Sequence, residues 1–243
     1  MFTDLHTHLL PGVDDGPKYS AQALALARAA LQNGITSLAV TPHFYAWRHS
    51  FEERLTTRDR QLAEFLALLK QERCGFEKIA AGFEVAYFKS IATCEELDRL
   101  TIGGSMYLLL ELNGGVVNSA LVAHLQALCD RGFKVILAHL ERFVNYRGFE
   151  KLIPLLKRRE LLAQVNADSI FKFFPRRAVK LLLDEGLVHL LASDMHSVAK
   201  RPPKMAEAFE WLNKNYGSLL CERLNENAAE VLSESLSAEF KEF

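Results

Sequence analysis

Six short segments of the chain, DLHTH, VTPH, AGFE, LLLEL, ILAHLER and LASDMH, end an apolar run in His, Asp or Glu. His6 and His8 are two positions apart, as are Asp194 and His196, and in extended chain that spacing puts both side chains on one face, where a pair can chelate one ion. Imidazole suits zinc, iron or manganese, while carboxylates add charge neutralisation and can bridge two ions. A His/Asp/Glu mixture without Cys therefore points to a hydrolytic metal centre and away from a structural zinc site. Glu111 follows an apolar run at 107–110 that should be a buried strand, so a cation or strong donors should accompany it. Glu84 carries a weaker form of that argument. A lone His at a strand end is ordinarily a hydrogen-bonded core or surface residue; the recurrence of such residues at successive strand ends outweighs that reading.

Other residues leave two readings open. Asp14 and Asp15 precede Gly16-Pro17 and form either an acidic turn or part of the centre. Arg142 lies three residues beyond His139, and Arg201 lies five beyond His196. Both are solvated charges or, beside a metal cluster, planar clamps for phosphate oxygens, and the phosphate role is favoured. Phe44, Tyr45 and Trp47 follow His43 and offer either an aromatic wall beside the site or ordinary loop packing.

These residues can meet only if the elements carrying them bring strand ends to one face. Short apolar runs at 2–6, 35–40, 77–84, 106–112, 133–139, 161–166 and 187–193 alternate with amphipathic segments, the pattern of repeated βα units. Ser20 should cap an Ala/Leu-rich helix that Gly34 ends, Pro175 and Gly186 fit the first turn and the stop of another, and 52–72, 118–131 and 203–215 also read as helices. Parallel strands need helical crossovers, so the expected architecture is an α/β barrel of about seven strands with the polar residues at its C-terminal end; an open doubly wound sheet is the alternative.

With 243 residues, 49% of them hydrophobic, the chain can bury a sizeable core, and one domain spanning 1–243 is expected. The 29 basic and 30 acidic residues nearly cancel, which favours neither nucleic acid nor a membrane surface as partner. No secretory signal or spanning apolar run is read, so the expected location is cytoplasmic. Cys74, Cys94, Cys129 and Cys221 are scattered and read as reduced structural thiols.

Taken in order, HTHLLPGVDDGP, TPHF, AGFEV, LLLEL, AHLER and ASDMHSVAKRPP resemble the PHP (polymerase and histidinol phosphatase) superfamily, and within it the bacterial tyrosine-protein phosphatases of capsule and exopolysaccharide systems, from residue 2 to about residue 230. The resemblance implies a distorted, TIM-like (β/α)7 barrel with three divalent ions, manganese expected and iron or zinc the alternatives. By motif, His6, His8, Glu84 and Asp194 would hold the first ion, with Glu84 bridging to a second held by Glu111 and His139. Asp15, His43 and His196 would hold the third, Asp15 being preferred over Asp14 on the resemblance alone. The expected reaction is in-line hydrolysis of phosphotyrosine by hydroxide activated at the metal centre, with Arg142, Arg201 and Asp194 as the catalytic residues and no phosphoenzyme. The implied partner is a phosphotyrosine protein, in particular an autophosphorylated bacterial tyrosine kinase, and a homo-oligomer is implied too. The competing readings are a small-molecule phosphomonoesterase like histidinol phosphatase and a non-catalytic metal-binding module that docks on a kinase. Lys204 after Pro202-Pro203 and the aromatic segment after His43 depart from the family pattern.

Overall fold

The computed structural model describes residues 1–235 and 237–239. Its elements run β1 (Phe2–Thr7), α1 (Ser20–Gln32), β2 (Ile35–Val40), β3 (His43–Phe44), α2 (Phe51–Gln71), β4 (Lys78–Ala81) and β5 (Glu84–Ala86) through the first part of the chain. They continue with β6 (Tyr107–Glu111), α3 (Ser119–Asp130), β7 (Lys134–Leu137), α4 (Ile153–Lys157), β8 (Leu161–Asn166), α5 (Phe173–Asp184), β9 (Leu190–Ala192), α6 (Met205–Tyr216), α7 (Ser218–Ser233) and β10 (Ser237–Glu239). One sheet is ordered β1-β2-β4-β10 and the other β3-β5-β6-β7-β8-β9, every pair parallel except β10 with β4. The parallel sheet curls in the manner of a TIM-like fold. Beyond β9, Thr7 bridges in parallel to Met195, and the His8 amide donates to the Met195 carbonyl at 3.0 Å.

Alternation along the strands separates two apolar layers. Leu108, Leu110, Val135 and Leu137 face the helices, while Tyr107, Leu109, Ile136 and Ala138 pack with Leu5, Ala39 and Leu190 inside the curl, where Val231 and Leu232 of α7 join them. Inward-facing positions therefore lead directly to the site: Tyr107 and Leu109 are followed on the same face by Glu111, and Leu162 by Gln164 and Asn166. β1 reaches the same end differently. Its register against β2 shifts between Asp4 and Thr7, so that the successive residues Leu5 and His6 both point inward.

Three expectations are corrected. The run 77–84 is two strands, β4 and β5, because the chain breaks at Gly82-Phe83 where a side chain on residue 82 would come within 3.0 Å of the Ile102 backbone. Ser20 is the first residue of α1 and not its cap. Tyr19 holds the extended cap position without a side-chain bond, whereas Ser50 and Asn118 do cap α2 and α3. Phe44 is core, fully buried against Phe51 and Phe83, and so is no part of an aromatic wall. The helices expected at 52–72, 118–131 and 203–215 are α2, α3 and α6, and Pro175 and Gly186 stand in the first turn of α5 and just past its end.

Candidate metal centre

All nine residues expected as ligands converge at one end of the curled sheet, most of them at or beyond C-terminal strand ends and His43 and Glu84 at the starts of β3 and β5. Three of their rings are fixed from behind. His6 Nδ1 lies 3.1 Å from Gln164 Oε1, His8 Nδ1 lies 2.6 Å from Asp14 Oδ2, and His196 Nδ1 lies 2.9 Å from the Asp194 carbonyl. Each acceptor selects the Nδ1–H tautomer and turns the Nε2 lone pair inward. His6 Nε2 and His8 Nε2 then face one another at 3.2 Å, with Glu84 Oε2 3.3 and 3.4 Å away and Asp194 Oδ1 3.5 Å from each. Two lone pairs and two carboxylate oxygens cannot satisfy one another without a cation or protons between them.

Around this group His43 Nδ1 approaches Glu84 Oε2 at 2.7 Å, and His139 Nε2 lies 2.7 Å from Glu84 Oε1 and 3.5 Å from Glu111 Oε1. Asp15 Oδ1 lies 3.3 Å from His43 Nε2 and 3.1 Å from His196 Nε2. Glu84 Oε2, His43 Nδ1 and His196 Nε2 are buried and have no hydrogen-bond partner, their mutual approaches being misaligned for one. Buried polar atoms left this way are costly unless something else satisfies them. Potential ligand atoms fall into three groups, His6–His8–Asp194, His8–Asp15–His43–His196 and His43–Glu84–Glu111. The donor set thus fits divalent cations. His8 and His43 each belong to two groups, Glu84 stands apart from His6, His8 and Asp194, and His139 belongs to none of the three, so the partition differs from the one the motif pattern implies. Glu111 is also less buried than its apolar strand suggests, with a side chain 21% exposed.

The electrostatics of the cluster follow from this crowding. Burial alone would raise Glu84, but the imidazoles of His6, His139 and His43 hold its carboxyl well below the usual range. Asp194, against the same burial, is drawn down by His6, His8 and Arg201. His43 is lifted to about 9 in spite of burial, by Asp15 and Glu84. Glu111 moves up, from burial and from the Glu84 charge.

The backbone contributes too. His139 and Asp194 adopt left-handed conformations with φ of 35° and 53°, uncommon for residues with a side chain. Alternation would send His139 outward with Val135 and Leu137; the left-handed turn returns it to Glu84. Asp194 and His196 do meet, but through this turn beyond the end of β9 and not through extended alternation.

Arg142 and Arg201 both donate to Asp194 Oδ2, which also accepts from Asn166 Nδ2 at 2.7 Å. Each guanidinium keeps further N–H groups at the open side, with side chains 45% and 33% exposed. Tyr45 stacks on His43 at 5.3 Å, and the exposed Trp47 leans on Tyr45 at the same distance.

Sequence reasoning overlooked Gln164, Asn166, Asp14 in its orienting role, and Arg54, which donates to the carbonyls of His43 and Val13. A signal existed for the first two: QVN gives two polar residues at alternating positions in an otherwise apolar strand. Arg54 lies on a helix eleven residues past His43 and gave none.

Comparison with known proteins follows the same line. The profile of the family described as capsular polysaccharide synthesis, CpsB/CapC, matches residues 2–233. The tyrosine-protein phosphatase CpsB of Streptococcus pneumoniae is 28% identical over 228 residues, covering 88% of this chain and 91% of its own length. The tyrosine-protein phosphatase YwqE of Bacillus subtilis (strain 168) is 28% identical over 235 residues, covering 94% and 91%. A chain from the crystal structures of YwqE and CpsB, described there as unique metal-dependent tyrosine phosphatases, superposes with a TM-score of 0.83 at 25% identity and covers 99% of this chain and 100% of its own. A β-aspartyl dipeptidase from Fervidobacterium islandicum, at 13% identity and a TM-score of 0.57, shares the fold alone.

Proposed function

Because this chain belongs to the capsular polysaccharide synthesis CpsB/CapC family, we propose that it is a metal-dependent protein-tyrosine phosphatase, a phosphoric monoester hydrolase acting on phosphotyrosine. One observation carries the metal dependence: two imidazoles with their Nδ1 atoms committed elsewhere turn both Nε2 atoms, 3.2 Å apart, onto Glu84 and Asp194. His6, His8, Glu84 and Asp194 hold one ion; Glu84, Glu111 and His139 a second; Asp15, His43 and His196 a third, manganese being the expected metal with iron or zinc as alternatives. Bound ions would supply Lewis-acid polarisation of the phosphoryl group and activation of water. The chain's own residues do the rest. Arg142 and Arg201 orient phosphoryl oxygens through the N–H groups not spent on Asp194, and Asp194 holds both guanidiniums in place. Tyr45 and Trp47 wall the space beside His43 for the phenyl ring.

The finer parts of this reading go with it. The curled sheet is a distorted (β/α)7 barrel, with β2 and β3, and β4 and β5, each taken as one bent strand. Residues 1–243 form one domain, acting in the cytoplasm, with homo-oligomerisation, on an autophosphorylated tyrosine kinase that controls capsule or exopolysaccharide synthesis. Among the described residues no helix is long and apolar enough to cross a membrane.

The test is metal analysis of protein purified without chelator, paired with turnover of a phosphotyrosyl peptide and of histidinol phosphate. Hydrolysis of the peptide with the higher kcat/KM is expected. A preference for histidinol phosphate would make the protein a small-molecule phosphatase, and peptide binding without turnover in metal-replete protein would make it a docking module.

A further inference from the structure

Two segments beside the centre concentrate positive charge in a chain whose formal net charge is −1. Residues 171–180, FKFFPRRAVK, contain four cations and no carboxylate, and residues 197–204, SVAKRPPK, contain three and none. Lys172 is paired with Asp168, but among the described residues no carboxylate lies within 4.0 Å of Arg176, Arg177, Lys180, Lys200 or Lys204. Three aromatic rings are exposed in the same place, Phe171 by 44%, Phe173 by 68% and Phe174 by 77%. Two of the cations lie on them: the Arg177 guanidinium is 4.7 Å from the Phe173 ring centre and Lys204 Nζ is 5.4 Å from that of Phe171, while Arg176 lies over the Trp211 ring at 5.3 Å. Phe173 and Phe174 meet edge to face at 5.2 Å.

The position of this rim follows from the site. The turn Ala167–Phe171 leaves β8 directly after Asn166, which holds Asp194. Its Ser169 Oγ donates to Glu141 at 2.7 Å, next to Arg142, and α5 packs against the turn Leu140–Arg142. On the other side Lys204 stands three residues beyond Arg201 and reaches Phe171. The aromatic and basic rim is therefore continuous with the two guanidiniums proposed to meet the phosphate.

We infer that this rim binds the polypeptide flanking the phosphotyrosine, and that it selects an acidic segment. The inference rests on the phosphatase reading and extends it to the substrate's sequence. Chain leaving a phosphotyrosine seated at Arg142 and Arg201 advances about 3.3–3.6 Å per residue, so its next few residues cross the rim. Uncompensated cations there attract Asp and Glu side chains, and the exposed rings cover the peptide's apolar atoms and backbone. An anionic bilayer would also suit aromatic rings and cations, but seating the rim on a bilayer would close the mouth through which a protein substrate must enter.

Two phosphotyrosyl peptides, identical except that Asp and Glu flanks are replaced by Asn and Gln, test the assignment alongside p-nitrophenyl phosphate, which has no flanks. Wild-type kcat/KM should favour the acidic peptide by about tenfold, and the preference should shrink in high salt. In Arg176→Glu/Arg177→Glu the preference should vanish through KM, while p-nitrophenyl phosphate turnover and metal content stay unchanged. Phe173→Ser/Phe174→Ser should raise KM for both peptides and leave p-nitrophenyl phosphate alone. Equal wild-type activity on the two peptides, or a preference that survives charge reversal, overturns the proposal. Binding to phosphatidylglycerol vesicles through Phe173 and Phe174 without any peptide preference does so as well. If none of these phosphates is hydrolysed, the phosphatase reading falls. Fluorescence anisotropy of labelled acidic peptide then still tests the rim: binding lost on charge reversal upholds it and unchanged binding refutes it.

Discussion

At the scale of single residues, Asp194 divides its two oxygens between different tasks. Oδ1 faces His6 and His8, while Oδ2 accepts from Arg142, Arg201 and Asn166. Removing one guanidinium leaves two donors to hold the carboxylate, so metal content should survive Arg142→Ala or Arg201→Ala. In contrast, kcat/KM should fall by about 10²–10³, the scale of losing one preorganised donor. Lys should rescue only in part, because a point charge does not reproduce a two-pronged contact. Wild-type kinetics in both metal-replete variants would refute the phosphate role, and loss of metal would refute the proposed ligand shell. Asp14 has the complementary task. Although burial pushes it up, the His8 imidazole and the Gly16 amide hold its carboxyl at about 2, and Oδ2 also accepts from the His43 amide. Asp14→Ala frees the His8 ring, and metal affinity should drop by about 10–100-fold, as for other partners that orient ligands. Direct metal titration would show it.

At the scale of elements, the loop between β1 and α1 brings the acidic pair to the centre only because its backbone passes very close to β1. A side chain on Gly16 would place Cβ 2.4 Å from the His8 carbonyl oxygen. Gly16→Ala must shift this loop and with it both Asp14 and Asp15, so it should cost about 1–3 kcal/mol of stability and weaken metal binding together; a variant as stable and as tightly metallated as wild type would show that the loop yields freely. Farther from the centre, the entry to β9 carries a buried titrating group. Burial and the charges of Arg159 and Arg223 push His189 down to about 4, and its Nδ1 accepts from the Ala163 amide at 3.0 Å. The unfolded chain, at 6.5, binds this proton more readily. Stability from neutral His189 is thus complete above the unfolded value and is lost as pH falls from there toward 4. Metal-free wild type should lose about 2 kcal/mol from this group between pH 7 and pH 5. His189→Gln should lack that part of the slope in denaturant unfolding; identical slopes would mean that His189 is protonated in the fold. α7, the closing helix, was not anticipated from pattern, yet Asn225 and Asn227 within it accept from the Thr3 amide and donate to the His189 carbonyl.

For the whole molecule, the proposed metal centre draws on residues from positions 6 to 196, so ions that bind the folded chain should stabilise it by mass action. Chelation should lower Tm and abolish hydrolysis. Thiol alkylation should spare hydrolysis, because burial moves all four thiols up and none has an Arg six positions later, where Ala80, Leu100, Val135 and Asn227 stand instead. Activity that survives chelation and dies on alkylation would reverse this account. Much was legible beforehand because it is local. Apolar runs and two-residue alternation identify strands, and His, Asp and Glu at their ends mark the residues proposed as ligands, as in the run from Tyr107 to Glu111. What alternation could not convey is where a strand departs from it. The bulge in β1 and the left-handed turns at His139 and Asp194 turn side chains inward against the local period, at a conformational cost that only surrounding contacts can hold. The roles of Asp14, Gln164 and Arg54, and the joining of two basic segments into one rim, likewise depend on groups distant in sequence meeting where the sheet curls. Sequence determined which chemistry this chain can perform; only tertiary structure decided how those groups face one another, because orientation is a property of contacts and not of residue type.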